Sequence, residues 1–185
     1  MIYIISMVKI TIITPSYGID NLKKKSIKFE YIDEWMVVYD GNKIETNPYI
    51  FEENEKIKEY INKCDCMPGN GQRNYAWTKI TKPDTLLYYL DDDNIIHPDL
   101  YDLLNFIDNN TIFSFNQYNR IKGSNINVGH IETAMVIIPF NFCKNIKWKL
   151  DVCEADGYYI KECYDNKRDK HVYIDKGLCS YNFLQ

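Results

Sequence analysis

Three consecutive carboxylates, Asp91-Asp92-Asp93, follow directly on the apolar run Thr85 to Leu90 (TLLYYL). Such a run reads as a strand covered on both faces, as in a parallel sheet. Open α/β sheets bind ligands at the carboxyl ends of these strands, so the acids fall where a site is expected. Adjacent carboxylates repel one another. A hard divalent cation with oxygen ligands, Mg2+ or Mn2+, relieves that repulsion and neutralises a diphosphate that bare acids would reject. The implied chemistry is metal plus nucleotide. Helix capping is the alternative, because Asp favours the position ahead of a first-turn proline such as Pro98. Capping accounts for one acid, whereas three stand five to seven residues ahead of that proline.

Other polar residues stand where apolar runs break. Thr14-Pro15 closes VKITIIT, Asp40-Gly41 closes EWMVVY, and Arg73 follows the break Gly69-Asn70-Gly71. The first two read equally as a strand terminator and a common turn. An arginine beside a glycine break suits a phosphate-facing loop, although its aliphatic stem can also cover a helix surface. Glu132 stands just before a strand pattern, as a site acid or a rim charge. Trp148 is either a binding platform or core.

The elements that must hold these residues follow from periodicity. Val8 to Thr14 and Glu34 to Tyr39 read as buried strands, with Asp20 to Tyr31 as the helix between them, its Leu22, Ile27 and Phe29 on one face. Glu52 to Asn62 alternates charges and predicts a solvent-facing helix or a loop of helical character. Gln72 to Ile80 and Pro98 to Ile107 predict helices. Thr111 to Phe115 and Ala134 to Ile138 predict strands, His171 to Phe183 a last strand or hairpin, and Asp165 to Lys170 an exposed loop. The order predicts one α/β domain over residues 1–185, an α/β/α sandwich with a mostly parallel central sheet.

Composition agrees. A chain of 185 residues, 45% hydrophobic, buries one substantial core and is short for two domains. A net charge of -4 with dispersed Lys and Arg leaves no basic footprint for nucleic acid. The apolar start, Met1 to Met7, lacks a basic leader and a cleavage site, and no stretch reaches the roughly 20 apolar residues of a membrane span. The expected setting is cytoplasmic and soluble, or the soluble part of a longer protein. The six cysteines contain no C-x-x-C pair, so buried free thiols are expected rather than disulfides or a zinc site.

Taken in order, the landmarks resemble the nucleotide-diphospho-sugar transferases of the GT-A fold, particularly the small inverting, family-two-like enzymes. They are Ile13-Thr14-Pro15-Ser16-Tyr17, the strand ending at Asp40, Gly71-Gln72-Arg73-Asn74, and Leu90-Asp91-Asp92-Asp93-Asn94 with Pro98 downstream. Glu154-Ala155-Asp156-Gly157 after Trp148 is a weaker match. The resemblance spans about Val8 to Phe183 and implies a GT-A-like, Rossmann-like sandwich. It also implies a UDP-sugar donor, Mn2+ or Mg2+, and a glycan or other hydroxyl acceptor.

By that resemblance Thr14, Pro15 and Tyr17 would line the nucleoside pocket and Asp40 would meet the base. Arg73 would approach the acids or the diphosphate, Asp91 and Asp92 would serve the nucleotide with Asp92 at the ribose, and Asp93 would bind the metal. Inverting transfer needs a base for the acceptor hydroxyl, and Asp156 is the candidate. Glu132, Trp148 and Glu154 would contact acceptor or donor sugar. Some members bring a late histidine to the metal; His171, set among Arg168, Asp169 and Lys170, reads rather as an exposed histidine.

Two other classes compete. A nucleotide-sugar or glycan-binding module without turnover fits the short chain, but Asp93 together with an independent downstream acid speaks for an active centre. A metal-dependent phosphoryl-transfer enzyme would also place acids at a strand end. The chain lacks the threonine or glycine loop of aspartyl-phosphate enzymes and any Walker loop.

Overall fold

The β-branched run beginning at Val8 forms strand β1, Ile10–Ser16, with every residue buried. It is covered because it pairs in parallel on both sides, with β2, Ile32–Asp40, and with β4, Leu86–Tyr89. Pro15 does not end β1. Pairing with β4 stops at Ile13, so Pro15 has a ladder neighbour on the β2 side alone, at Val38, and its missing N–H is tolerated there. The computed structural model describes residues 8–17, 20–44, 51, 54–181 and 184. Met1 to Met7, Glu52, Glu53, and Asn182 with Phe183 lie outside the described residues.

The segment expected to be helical at Glu52 to Asn62 is instead strand β3, Ile57–Asn62, parallel to β2 in the register Trp35↔Ile57 to Asp40↔Asn62. Its charges suit a half-exposed edge strand. Tertiary pairing overrides the local pattern, helped by the bond from Tyr39 Oη to Glu59 at 2.6 Å. Asp20 to Tyr31 is also less helical than expected. It gives one short turn, α1, Asp20–Lys23, then extended chain and a 3-10 turn at Phe29–Tyr31.

Helix α2, Asn70–Trp77, packs on β1 and β2. After β4 come the two-residue strand β5, Ile95–Ile96, helix α3, Pro98–Leu103, and strand β6, Ile112–Gln117. A 3-10 turn at Thr133–Met135 leads into β7, Val136–Pro139, and the short α4, Phe140–Cys143. Helix α5, Ala155–Asp165, and strand β8, His171–Ser180, complete the chain, with exposed residues between them as expected.

The eight strands form one sheet in the order β3-β2-β1-β4-β7-β6-β8-β5. Strand β7 is antiparallel to both β4 and β6, β6 is parallel to β8, and β5 is antiparallel to β8. Thus β7 and β5 run against the rest and the sheet is mostly parallel. The carboxyl ends of β1, β2, β4 and β6 share one edge, and the amino end of β7 meets them there. An aromatic cluster fixes α5 beneath that edge: Trp148 stacks on Tyr159 at 4.5 Å between centroids and meets Tyr89 edge-on at 5.0 Å.

All six cysteines are free. Cys143, Cys163 and Cys179 are buried as expected, whereas Cys64 and Cys66 are half-buried and Cys153 is exposed. No described helix is long and apolar enough to cross a membrane.

Candidate active site

The acidic triplet leaves β4 as a turn whose members are held differently. Asp91 Oδ1 pairs with Arg73 Nη2, and its Oδ2 accepts from the Thr133 hydroxyl at 3.4 Å. Asp92 Oδ2 accepts from Ser16 Oγ at 3.1 Å and from the Tyr17 N–H at 3.0 Å, tying the triplet to the end of β1. Asp93 is half-buried beside them. The capping alternative is not realised: His97 caps α3, its Nδ1 accepting from the Asp99 N–H at 3.2 Å.

Arg73 is buried in the first turns of α2. Its Nη1 donates to Asn70 Oδ1 at 3.4 Å, and Asn70 in turn donates to the carbonyls of Lys149 and Val152 ahead of α5. The helix that starts at the glycine break thus brings Arg73 to the acids. Gly69 supplies the left-handed conformation there, at φ 83°.

Arg73, Asp91, Glu132, Thr133, Asp156 and Tyr181 line a cleft of about 240 Å³. Asp156 stands in the first turn of α5 and accepts from the Gly157 N–H at 2.7 Å. Burial pushes its carboxyl up to about 6, against that hydrogen bond and the Arg73 charge, while Glu132 and Asp91 add to the rise. A carboxylate poised near neutrality within a cleft is suited to taking up a proton. Gly157 is required by close approach. A Cβ there would lie 2.9 Å from Val128 Cα and 3.2 Å from Gly129 N.

At the other end, Asp40 is buried with Oδ1 accepting from Asn42 N at 3.0 Å, and Lys43 Nζ lies 4.5 Å from the Tyr17 ring centroid. The Tyr17 hydroxyl and Arg73 Nε are buried and make no hydrogen bond among the described residues. Burial raises the Tyr17 phenol, with Arg73, Asp40 and Asp92 all close enough to act on it. Unpartnered buried polar atoms beside two carboxylates are what a site shaped for a polar ligand leaves. Thr14 is fully buried with its hydroxyl accepting from the Trp35 indole at 3.0 Å, and Pro15 is buried beside it within the strand.

Among the described residues, no three His, Cys, Asp or Glu side chains converge as a metal cage. The oxygen-only triplet fits a cation shared with a substrate, since Mg2+ is commonly held by one or two carboxylates and completed by phosphate oxygens.

Two expected residues are placed elsewhere, and His171, read from the sequence as an exposed histidine, is half-buried. Trp148 is 2% exposed within the aromatic cluster and offers no open face to an acceptor, so the platform expectation is corrected to core. Glu154 is exposed at the amino end of α5, outside the residues that line the cleft. His171 starts β8 at the far end of the sheet, its Nε2 2.8 Å from Ser114 Oγ and its ring edge-on to Tyr164, and burial lowers its pKa.

Other residues join the site without a motif. Glu132 is held by Arg120 Nη1 at 3.0 Å and by Gln117 Nε2, and the Arg120 guanidinium lies 3.9 Å from the centroid of Tyr181. Lys25 sends a buried ammonium to the main chain of the triplet turn. Burial lowers it to about 8, opposed by Asp92, Asp91 and Asp93, so it stays charged at neutral pH. A lone lysine in a Lys-rich stretch gives no sequence signal for such a role.

No family model matches the chain, and no curated protein matches its sequence. Solved structures do. The chain is similar to S. aureus TarS 1–349 in complex with UDP-GlcNAc, at TM-score 0.65 and 16% identity over 94% of this chain and 58% of that one. It is similar also to TarS 1–349 in complex with UDP, at 0.64 and 17% over 94% and 60%, and to TarS 1–349 itself, at 0.66 and 16% over 94% and 60%. This chain thus spans less than two thirds of the length of those neighbours. Their likeness at this identity is one of fold, and the chain has the mostly parallel, Rossmann-like α/β fold that its sequence landmarks imply.

Proposed function

We propose that this chain is a metal-dependent glycosyltransferase that moves a sugar from a UDP-sugar to a hydroxyl of a glycan or other acceptor, with inversion. One observation supports the reading most. Asp91 with its partner Arg73, and Asp156, which comes from an element more than sixty residues downstream, line a single cleft at the carboxyl ends of parallel strands. The bound nucleotides of the TarS structures, UDP and UDP-GlcNAc, are consistent with it.

In this reading Tyr17 and Asp40 hold the nucleoside, and Arg73 faces the diphosphate while fixing Asp91. Asp92 holds the ribose, its carboxylate oriented by the end of β1. A divalent cation at Asp93, when bound, supplies positive charge against the departing diphosphate. Asp156 accepts the proton of the acceptor hydroxyl at its carboxylate, and the acceptor attacks the anomeric carbon opposite the leaving group. Tyr181, with one face against Arg120 and the residue 45% exposed, gives the acceptor an aromatic surface at the cleft mouth.

The test is calorimetric titration of UDP with and without manganese, backed by a thermal-shift screen of nucleotide sugars. Manganese-dependent UDP binding that Asp93→Ala abolishes is expected. Equal UDP affinity in excess chelator refutes the metal-dependent reading.

A further inference from the structure

The triplet turn is gripped by a half-buried lysine. Lys25 stands 66 residues before Asp91 in sequence, in the extended chain after α1, and its Nζ donates to the Asp91 carbonyl at 2.9 Å and to the Asn94 carbonyl. Those carbonyls bracket Asp92 and Asp93, and the Asn94 N–H closes the turn on the Asp91 carbonyl at 3.1 Å. The same ammonium feels all three carboxylates. An ammonium aimed at main-chain carbonyls fixes the path of the backbone, and charge-assisted hydrogen bonds are about twice as strong as neutral ones. Removing it would leave the turn without this main-chain tie and the acids with one nearby cation fewer, Arg73 remaining on Asp91.

We propose that Lys25 is a positioning residue: by clamping both ends of the Asp91–Asn94 turn it sets the carboxylates for a metal-bound nucleoside diphosphate. The grip stands on the hydrogen bonds; its purpose rests on the function proposed above. Lys25 also lines two cavities, of about 640 and 260 Å³, so a small amine has room to reach the position it would vacate.

The experiment has two arms. Amide hydrogen exchange of Lys25→Met, without ligand, reads the grip. Exchange faster by about tenfold at Asp92 to Asn94, with β4 unchanged, is the expected size for losing charged hydrogen bonds. Calorimetry reads the purpose. Affinity for UDP with manganese should fall about tenfold, while affinity for uridine, which meets the turn only through Asp92 at the ribose, should fall several-fold less. In Lys25→Ala, n-propylammonium should restore UDP binding where tetramethylammonium does not; this variant also serves if Lys25→Met does not fold. Unchanged exchange in the turn, or equal loss of uridine and UDP, overturns the proposal. If the unaltered protein binds no UDP, the proposed function falls and takes the diphosphate role of Lys25 with it, while the exchange arm still decides the grip.

Discussion

The guanidinium carbon of Arg73 lies 4.7 Å from the centroid of the Trp148 ring, while Nη2 of the same group pairs with Asp91. One side chain thus joins the aromatic cluster under α5 to the acid turn after β4. Because Trp148 also stacks on Tyr159 of α5, the helix that carries Asp156 and the turn that carries the triplet are braced against the same pair of rings. Trp148 is thus a buried brace between α5 and Arg73.

Arg73→Met should therefore destabilise the protein as well as weaken diphosphate binding. It leaves Asp91 half-buried without its cation, and breaking such a pair from one side costs about 2–4 kcal/mol, the lower end applying because Asp91 is partly solvated. Urea unfolding midpoints measure this. Arg73→Lys should recover little, since a point-charge ammonium lacks the planar fork that stacks on Trp148 and reaches Asp91 together.

Gly157→Ala should lower turnover more than it raises KM. The added methyl would meet the Val128 and Gly129 backbone at 2.9 and 3.2 Å, so either that loop or the start of α5 must shift, and a shift of α5 carries Asp156 with it. A misplacement of about 1 Å in a reacting group can cost about 10²-fold in rate, so the smaller shift this contact demands should cost up to about tenfold. Steady-state kinetics with varied donor separate the two constants, and an unchanged kcat would show that the loop yields instead of the helix.

The fold was legible where local chemistry and tertiary demand agree. Apolar runs with few charges, such as those of β1, β2 and β4, admit no other burial. Strand β3 misled because its charges are tolerated only at a sheet edge, which a local window cannot see. Helix α5 carries no clean apolar stripe in ADGYYIKECYD, so its acid was found by motif and not by periodicity. The triplet and Arg73 stood out by type and position, Asp156 only by resemblance. Lys25, Gln117, Arg120 and Tyr181 did not, because their roles arise from contacts across 66, 15, 12 and 61 residues of chain.

Tyr181→Ala should raise KM for the acceptor by about tenfold with little change in donor affinity, since an aromatic stacking surface is worth about 1 kcal/mol beyond its area. The Arg120–Glu132 pair stays in the variant, so loss of the ring face is isolated. Equal effects on donor and acceptor would place Tyr181 outside the acceptor path.

Asp156 sets two pH dependences. Its folded carboxyl sits at about 6, above the unfolded value of about 3.9. Between those values the native state binds more protons than the unfolded chain, so its contribution to stability is full below about pH 4 and is lost as pH rises through about 6. Asp156→Asn removes this loss and should be more stable than the unaltered protein above pH 6, by thermal unfolding across pH. Catalysis runs the other way. A base must be ionised, so turnover should fall as pH drops below about 6.

The most direct test of the account is donor turnover followed by proton NMR, with manganese, a panel of UDP-sugars and either water or an offered glycan as acceptor. The unaltered protein should release UDP and give a sugar product whose first-formed anomer is inverted. Asp156→Asn should still bind UDP with manganese yet turn over about 10²- to 10⁴-fold more slowly, the usual size of a general-base contribution. A UDP-sugar that binds but is never cleaved by the unaltered protein, or one cleaved equally fast by Asp156→Asn, would contradict it.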